Sequence, residues 1–237
     1  MINQAMILAA GFGTRLKPWT DHHPKALARV NGKSLLRRNI QYLANAGIKN
    51  FVVNTHHFPE QIEAEVKAAN GWGNNIQLIY ENEILETGGG LLNAKKFLTE
   101  KYFIVMNVDI LTDMDIRQMI NFHLKNEPLV TLSVSERNSS RCFLFDNEGR
   151  LAGWKNRNTN EVKIKRDVEN LKEFSFNGIH IVSRKIFENI TREGKFSLVD
   201  WYLDLAADHR ILAYLSNDQF LDVGKPGSIE KAESIFS

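Results

Sequence analysis

The first two thirds of the chain alternate short apolar runs with amphipathic segments, and this alternation constrains the fold most. Between residues 34 and 46 apolar side chains recur every three to four positions, which predicts a helix that Gly47 ends. The continuous apolar run Tyr102–Met106 predicts a strand buried on both faces. We therefore expect an α/β fold, with a doubly wound, mostly parallel sheet covered by helices on both faces.

The same patterns place the other elements. We expect strands at 5–10, 51–53, 76–80, 102–106 and 129–134, and helices at 34–46, 59–69, 90–98 and 115–124. After residue 134 we expect a hairpin whose turn is Asp146–Gly149, a strand at 172–182, a helix at 198–207, short strands at 211–215 and 220–223, and a helix at 227–236. The second half thus predicts a small antiparallel insert within one continuous domain, 1–237.

Composition excludes several classes of protein. The single cysteine, Cys142, rules out an internal disulfide and favours a reducing compartment. The formal net charge of +2, without a basic stripe, does not favour nucleic-acid binding. The N-terminus lacks a basic stretch before an apolar run, and no apolar run is long enough to cross a bilayer. We expect a soluble, cytoplasmic protein with no membrane partner.

A glycine-rich segment follows the first predicted strand and extends from Leu8 to Leu27. Glycines let backbone N–H groups approach phosphate oxygens, and Arg15 and Lys25 add positive charge for the same anion. Leu16 stands where the dinucleotide fingerprint needs its third glycine, and the Gly-Lys-Ser/Thr of a P-loop is missing. The segment therefore predicts a phosphate-binding loop of another class, and the alternative is a tight strand-to-helix turn with surface charges.

Read in full, this segment resembles the signature of the sugar nucleotidyltransferases (NDP-sugar pyrophosphorylases). It reads Gly-Phe-Gly-Thr-Arg-Leu-Lys-Pro-Trp-Thr from residue 11, then Pro-Lys-Ala-Leu from residue 24, with Trp19 for the usual leucine and Ala26 for the usual second proline. The resemblance implies a Rossmann-like nucleotide-diphospho-sugar transferase fold. It also implies catalytic roles for Arg15 and Lys25 on the phosphates, and a nucleotide-binding loop made of Ala10, Gly11, Gly13 and Thr14.

Two aspartates carry the predicted metal site. Asp109 follows the strand at 102–106, at the edge of the sheet where ligands bind, and the family has its magnesium-binding aspartate at this place. Phe220–Pro226 resembles the family's Trp-x-Asp-Val-Gly-Thr-Pro, whose aspartate is the second ligand and matches Asp222. Mg²⁺ accepts one or two protein carboxylates together with phosphate oxygens and water. The alternative for Asp109 is a turn-forming residue.

Two further segments resemble the family's substrate loops. The three glycines at 88–90 are costly in a helix interior, and in the family this loop recognises the nucleobase. We expect Gly88 and Gly89 to contact the base, with Glu81 or Glu83 reading its edge; a helix-start turn is the alternative. By the same resemblance we expect Asn107, Lys155, Asn177 and Gly178 at the sugar: Lys155 stands for the lysine of the family's Glu-Lys-Pro, which binds the sugar phosphate, and 176–179 resembles its Asn-x-Gly-Ile strand. This divides the domain into a nucleotide-binding part (about 1–134) and a sugar-binding part with the second metal ligand (about 135–237).

The resemblance implies in-line attack of a sugar-phosphate oxygen on the α-phosphorus of a triphosphate, with Mg²⁺ as cofactor. Glu86–Gly90 and the short chain resemble the N-acetylmuramate 1-phosphate uridylyltransferases, which implies UTP as the donor. Relatives that use mannose, glucose or heptose 1-phosphate or phosphocholine, with GTP, CTP or dTTP, are the alternative. An inactive nucleotide-sugar-binding regulator is a second one. Leu16 and the lack of an acidic residue at Asn54-Thr55 disfavour a nicotinamide-dependent dehydrogenase. We expect a monomer or a small homo-oligomer.

Overall fold

The protein is represented by a computed structural model that describes residues 1–225 and 227–236. The strands are β1 (Gln4–Leu8), β2 (Arg29–Val30), β3 (Lys33–Ser34), β4 (Asn50–Thr55), β5 (Asn75–Tyr80), β6 (Tyr102–Asn107), β7 (Ile110–Thr112), β8 (Val130–Ser135), β9 (Arg141–Phe145), β10 (Leu151–Asn156), β11 (Glu161–Ile164), β12 (Lys172–Ser183), β13 (Ile211–Leu215) and β14 (Phe220–Asp222). The α-helices are α1 (Leu35–Asn45), α2 (Pro59–Ala68), α3 (Glu86–Asn93), α4 (Ile116–Asn126), α5 (Leu198–Leu205) and α6 (Ser228–Ile235). Pro226, which belongs to the motif at 220–226, lies outside the described residues.

A ten-stranded sheet forms the centre, in the order β11-β10-β9-β12-β6-β1-β4-β5, with β8 joined to β12 and β13 joined to β8. Strands β6, β1, β4 and β5 are parallel to their neighbours in this group. Strand β12 is antiparallel to both β6 and β8, so β6 and β8 run in the same direction. Strand β13 is parallel to β8. The carboxyl ends of β1, β4, β6, β8 and β13 therefore lie along one edge of the sheet.

Apolar residues cover both faces of this sheet. One cluster packs α1, α2 and α4 against strands such as β1 and β4, and includes Leu36, Ile40 and Ile104. A second cluster packs α3 and α5 against the opposite face, and includes Phe103 and Trp201, both fully buried. This arrangement confirms the expected mostly parallel α/β sheet with helices on both faces. Among the described residues, every helix is too short or too polar to span a membrane.

Side-chain caps explain where several helices begin. Ser34 accepts a hydrogen bond from the backbone N–H of Arg37 at the start of α1, and Asp115 accepts one from Arg117 at the start of α4. The hairpin β9–β10 turns at residues 146–149, as the sequence predicts. The helix predicted at 90–98 is wrong in its bounds, since α3 already begins at Glu86. Of its buried glycines, Gly88 and Gly89 pack closely against residues 194–196 and Gly90 packs against Asn54 and Glu81, and these tertiary contacts outweigh their low helix propensity.

Candidate active site

The segment after β1 forms a loop that folds back on the helical turn at residues 25–27. Gly13 has a φ of +63°, and a Cβ there would lie 2.7 Å from the Cβ of Lys25, so this position requires glycine. Thr20 donates a hydrogen bond from its hydroxyl to the carbonyl of Gly13 at 3.1 Å. At Gly11, by contrast, no described atom lies within 4 Å of the place a Cβ would take. The loop is thus fixed at Gly13 and open at Gly11.

A cavity of about 190 Å³ lies between this loop and the carboxyl ends of β1, β4 and β6. Several of the predicted site residues line it: Ala10, Gly11, Lys25, Glu81, Asn107 and Asp109. Asn54, Ile84, Glu86 and Thr87 are further parts of its wall. The cavity therefore lies at the edge of the sheet where an α/β fold places its ligands.

Two carboxylates and two cations meet beside this cavity. The Oδ2 atom of Asp109 lies 2.5 Å from Nζ of Lys25 and 3.9 Å from Nη2 of Arg15. Nη1 of Arg15 lies 3.3 Å from Oδ2 of Asp222. Asp109 is buried and Arg15 is half exposed. The structure thus brings together the two predicted metal ligands and the two predicted catalytic cations from three distant parts of the chain.

Gly224 lets the two carboxylates approach each other. A Cβ at this glycine would lie 2.7 Å from Oδ1 of Asp222 and 3.0 Å from Oδ2 of Asp109. Burial raises the pKa of Asp222, but the N–H of Gly224 and the charges of Arg15 and Lys25 outweigh it, so the pKa is lowered and the carboxylate stays ionised. Two carboxylates that face one small space are suitable donors for a hard divalent cation.

No group of three or more His, Cys, Asp and Glu side chains among the described residues is arranged to hold a metal ion. A cation held by Asp109 and Asp222 would therefore need water or phosphate oxygens to complete its coordination. That donor set is typical of magnesium sites in enzymes that bind phosphates.

Glu81 connects the phosphate loop to the loop that precedes α3. Its Oε1 accepts a hydrogen bond from the side-chain amide of Asn54 at 2.7 Å, and its Oε2 accepts one from the N–H of Leu85 at 3.2 Å. The side-chain carbonyl of Asn54 in turn accepts the N–H of Ala9 at 2.8 Å. Glu81 is 2% exposed, so its carboxylate fixes the spacing of two loops at the cavity wall. Glu83, the other predicted edge reader, is exposed and outside the described lining.

At the glycines of α3 the structure differs from the sequence-based expectation. The N–H groups of Gly88 and Gly89 both donate to the carbonyl of Phe196, at 2.9 and 3.2 Å. A Cβ at Gly88 would lie 2.4 Å from the ring of Phe196, and one at Gly89 would lie 2.2 Å from the carbonyl of Gly194. Protein atoms therefore cover Gly88 and Gly89, which were expected to contact the base. Glu86 and Thr87 are the residues of α3 that line the cavity.

The predicted sugar-binding residues divide into two groups. Asn107 lines the cavity. Gly178 has a φ of +79° and lies so close to Asn107 that a Cβ at Gly178 would be 3.2 Å from Nδ2 of Asn107. Asn177 is fully buried, and its amide bonds to the hydroxyls of Ser133 and Ser135 inside the fold. Lys155 bonds to Glu173 at 2.7 Å. Asn107 thus lines the cavity and Gly178 packs against Asn107, whereas the side chains of Asn177 and Lys155 bond to other protein groups.

Two polar residues at this edge, Asn54 and Arg137, belong to no motif that predicts a binding role. Asn54 lies in a buried run of β4, and a buried amide among apolar residues signals a specific hydrogen-bonding role. Arg137 follows the carboxyl end of β8 and donates a hydrogen bond to the carbonyl of Phe176 at 2.6 Å. Its signal is positional, because β8 ends at the same edge as β6, and this direction is visible only in the folded sheet.

Comparison with known proteins adds a family and a shared fold. The chain matches the family described as Nucleotidyl transferase over residues 4–236. It is 28% identical to N-acetylmuramate alpha-1-phosphate uridylyltransferase from Caulobacter vibrioides, over 97% of this chain and 95% of that protein. It is also 28% identical to a mannose-1-phosphate guanylyltransferase catalytic subunit beta from Drosophila pseudoobscura pseudoobscura, over 94% of this chain; there it spans 59% of the relative's length.

A solved structure shares the whole fold. HddC from Yersinia pseudotuberculosis, crystallised as a complex with GMP-PN, superposes with a TM-score of 0.79 and 26% sequence identity. The superposition covers 100% of both chains. A UDP-glucose pyrophosphorylase complexed with UDP-glucose superposes with a TM-score of 0.79 at 18% identity, over 99% of this chain and 98% of that one, which confirms the nucleotide-diphospho-sugar transferase fold expected from the sequence.

Proposed function

This chain belongs to the nucleotidyl transferase family, and from that premise we propose that it condenses a nucleoside triphosphate with a sugar 1-phosphate and releases pyrophosphate. Its membership confirms the family expected from the sequence. The observation that carries the proposal is the convergence of Asp109, Asp222, Arg15 and Lys25 beside the cavity. Carboxylates for a cation and basic groups for phosphates are both needed for phosphoryl chemistry, and here they share one space.

The chain's own residues contribute binding and charge neutralisation. The attacking phosphate oxygen is already an anion, so the reaction needs no strong general base. Attack forms a bond to the α-phosphorus and breaks the bond to the β-phosphate, and pyrophosphate carries away the negative charge. Lys25 and Arg15 stabilise that charge, and the open backbone at Gly11 admits phosphate oxygens. A magnesium ion held by Asp109 and Asp222 would neutralise charge on the phosphates when bound.

The substrates are proposed at two levels. We propose a purine or pyrimidine triphosphate in the cavity, with its base towards Glu81, Glu86 and Thr87. Its phosphates would lie along the loop that contains Ala10, Gly11, Gly13 and Thr14, of which Ala10 and Gly11 line the cavity. UTP with N-acetylmuramate 1-phosphate is one specific pair, supported by the relative from Caulobacter vibrioides that matches almost end to end. GTP with a mannose-type sugar 1-phosphate is the other, supported by the guanylyltransferase relative and by the HddC complex.

A matrix assay tests the proposal. Purified protein with Mg²⁺ is given each of UTP, GTP, CTP and dTTP against N-acetylmuramate, mannose, glucose and heptose 1-phosphates, and pyrophosphate release is measured. At least one pair should release pyrophosphate, and omission of either substrate or chelation of the metal should stop it.

Two outcomes of this assay would contradict the proposed enzymatic activity in different ways. Pyrophosphate release from no pair, together with calorimetric binding of a triphosphate or a nucleotide-sugar, would favour a regulator that binds nucleotides without turning them over. The absence of both turnover and nucleotide binding would defeat the proposal.

A further inference from the structure

A second polar cavity lies at the same edge of the sheet as the 190 Å³ cavity between the glycine loop and the carboxyl ends of β1, β4 and β6, which we call the nucleotide cavity. It has a volume of about 330 Å³, and its lining is Ser135, Glu136, Arg137, Ser216, Asn217, Asp218 and Phe220; the carboxylate of Asp218 accepts a hydrogen bond from the hydroxyl of Ser216. Residues 135–137 follow the carboxyl end of β8, and residues 216 and 217 follow that of β13. Phe220 lies on β14 two residues before Asp222. This cavity, the acceptor cavity, therefore neighbours the aspartate pair on the side away from β4 and β5.

From this arrangement we propose that Arg137 binds the phosphate of the sugar 1-phosphate in the acceptor cavity. The inference rests on the proposed function, because a sugar 1-phosphate must present its phosphate oxygen beside Asp222 to reach the α-phosphorus. A guanidinium can give two parallel hydrogen bonds to a phosphate, which orients the phosphate as well as neutralising it.

Strand β12 holds Arg137 in place. The hydroxyl of Ser175 donates to the carbonyl of Arg137 at 2.7 Å, and the guanidinium of Arg137 donates to the carbonyl of Phe176 at 2.6 Å. The bond to Phe176 uses one of the five N–H donors of a guanidinium. Because both the main chain and the side chain are anchored, little conformational freedom remains to be lost when a phosphate binds.

Arg137 also lies within electrostatic reach of the aspartate pair. Arg137 is exposed, yet desolvation by neighbouring protein atoms lowers its pKa, and the carboxylate of Asp222 opposes that shift. No ion pair within 4.0 Å joins these two side chains, whereas Arg15 does pair with Asp222. A phosphate between Arg137 and the aspartate pair would therefore meet a cation on one side and the proposed metal on the other.

Lys155, the residue that resemblance to the family assigns to the sugar phosphate, is oriented differently. Its ammonium bonds to Glu173 at 2.7 Å, and Arg157 bonds to the same carboxylate at 3.0 Å. Moving Lys155 to a phosphate would leave that carboxylate with one partner fewer. Arg137 needs no such exchange, so it is the better placed cation for the phosphate.

The test compares Arg137→Gln with a matched arginine at the opposite edge of the sheet. Arg210 precedes β13, and its guanidinium likewise donates to a backbone carbonyl, that of Asn126, at 3.0 Å. With the substrate pair found in the matrix assay, we expect Arg137→Gln to raise the KM for the sugar 1-phosphate about tenfold or more, since a charged hydrogen bond is lost. The KM for the triphosphate should not change. Arg137→Lys should give an intermediate value, and Arg210→Gln should match the wild type.

A binding measurement separates the failure of this inference from that of the proposed function. Each sugar 1-phosphate is titrated into wild type and Arg137→Gln in the presence of an α,β-methylene triphosphate, which blocks turnover. Weaker binding by the variant supports the role of Arg137 even if no pair is turned over. Equal affinities, or an equal rise of KM in Arg210→Gln, would overturn the role of Arg137 alone. Binding of no sugar 1-phosphate to the wild type would overturn the role of Arg137, whereas the proposed function is decided by the matrix assay and by nucleotide binding.

Discussion

The nucleotide side and the acceptor side of the site are built from the chain in different ways. On the nucleotide side one segment, residues 8–27, supplies the glycine loop and both cations. On the acceptor side the wall combines residues 135–137, 216–218 and 220, which follow or belong to three different strands and which only the fold brings together. A binding surface made from one short segment leaves a readable sequence motif, whereas a surface made by strand order does not.

The two sides also differ in how their polar groups are used. Lys25, Asp109 and Asn107 line the nucleotide cavity directly. On the acceptor side Asn177 bonds to Ser133 and Ser135, and such a buried amide costs free energy unless it is paired. Polar residues that resemble ligand contacts can therefore belong to the framework that holds the site, and Asn177 illustrates this.

The largest expected effect tests the nucleotide side. Asp109→Ala should lower kcat about a thousandfold or more, because it removes a proposed metal ligand and leaves Lys25 without its partner. Steady-state pyrophosphate release in Mg²⁺ measures it. Asp115→Asn is the matched control, since asparagine caps helices as well as aspartate does and Asp115 caps α4 outside the cavity lining. Near-normal turnover by Asp109→Ala would remove the metal assignment.

The difference between features encoded in one short segment and features that depend on strand order also explains what could be predicted from the sequence. The order of β1, α1, β4, α2 and β5 follows from hydrophobic periodicity, because each element has a regular buried face. The positions of Asp109 and Asp222 follow from local motifs at strand ends. Strand β7 (Ile110–Thr112) is too short for a periodic signal and exists because β14 pairs with it. The start of α3 was not predictable, because residues distant in sequence pack onto its glycines.

Arg137 shows a different limit. A lone arginine after a strand has no local pattern that separates it from a solvated surface residue. Its relation to Asp222 depends on β12 being antiparallel between β6 and β8, which sets the edge at which β8 ends. Strand direction is a tertiary property, so the acceptor side could be described only from the fold.

Two glycine substitutions separate the effect of backbone strain on the free energy of unfolding from the effect of a close side-chain contact. Gly178→Ala should destabilise the protein by about 2 to 3 kcal/mol, since its φ is +79° and a Cβ would lie 2.6 Å from Cγ1 of Ile110. Gly32→Ala is the control for backbone strain alone, because its φ is +73° but no described atom lies within 4 Å of a Cβ. Urea unfolding measures both, and equal losses would mean that the contact with Ile110 does not matter.

Gly11→Ala should behave in the opposite way. Its backbone is not in the left-handed region and its surroundings are open, so the free energy of unfolding should be unchanged. The added methyl would stand where phosphate oxygens are proposed to approach, so kcat/KM for the triphosphate should fall about tenfold. Unchanged kcat/KM would place the phosphates elsewhere.

Glu81→Gln tests whether nucleotide binding depends on the carboxylate that links Asn54 to Leu85. Asn54 and Leu85 donate to different oxygens of Glu81, and glutamine replaces one of those oxygens with an NH₂ group, so the N–H that faces it would lose its acceptor. We expect a loss of about 1 to 2 kcal/mol in stability and a raised KM for the triphosphate, with little change in the KM for the sugar 1-phosphate. Glu83→Gln, at an exposed carboxylate, is the control. A larger effect in Glu83→Gln would make Glu83 the edge reader instead.

The smallest expected effect is a pH dependence of the strands on the acceptor side. Burial lowers the pKa of His123, which bonds to Thr131 of β8, to about 4, and that of His180 on β12 to about 3. An unfolded histidine binds a proton below pH 6.5, whereas these two remain neutral in the folded protein until much lower pH. Stability is therefore fully present above pH 6.5 and is lost as the pH falls towards 4.

Each histidine should contribute a loss of about 1 kcal/mol for the first unit below pH 6.5, and urea unfolding between pH 7 and 5 measures the slope. His123→Gln removes one of the two titrating groups, so its slope should be about half that of the wild type. This window lies above the range in which most carboxylates titrate, which separates the histidines from the ion pairs at Asp109 and Asp222. A flat profile from pH 7 to 5 would mean that the histidines take up protons in the folded state, and that the packing of β8 and β12 is looser than the structure describes.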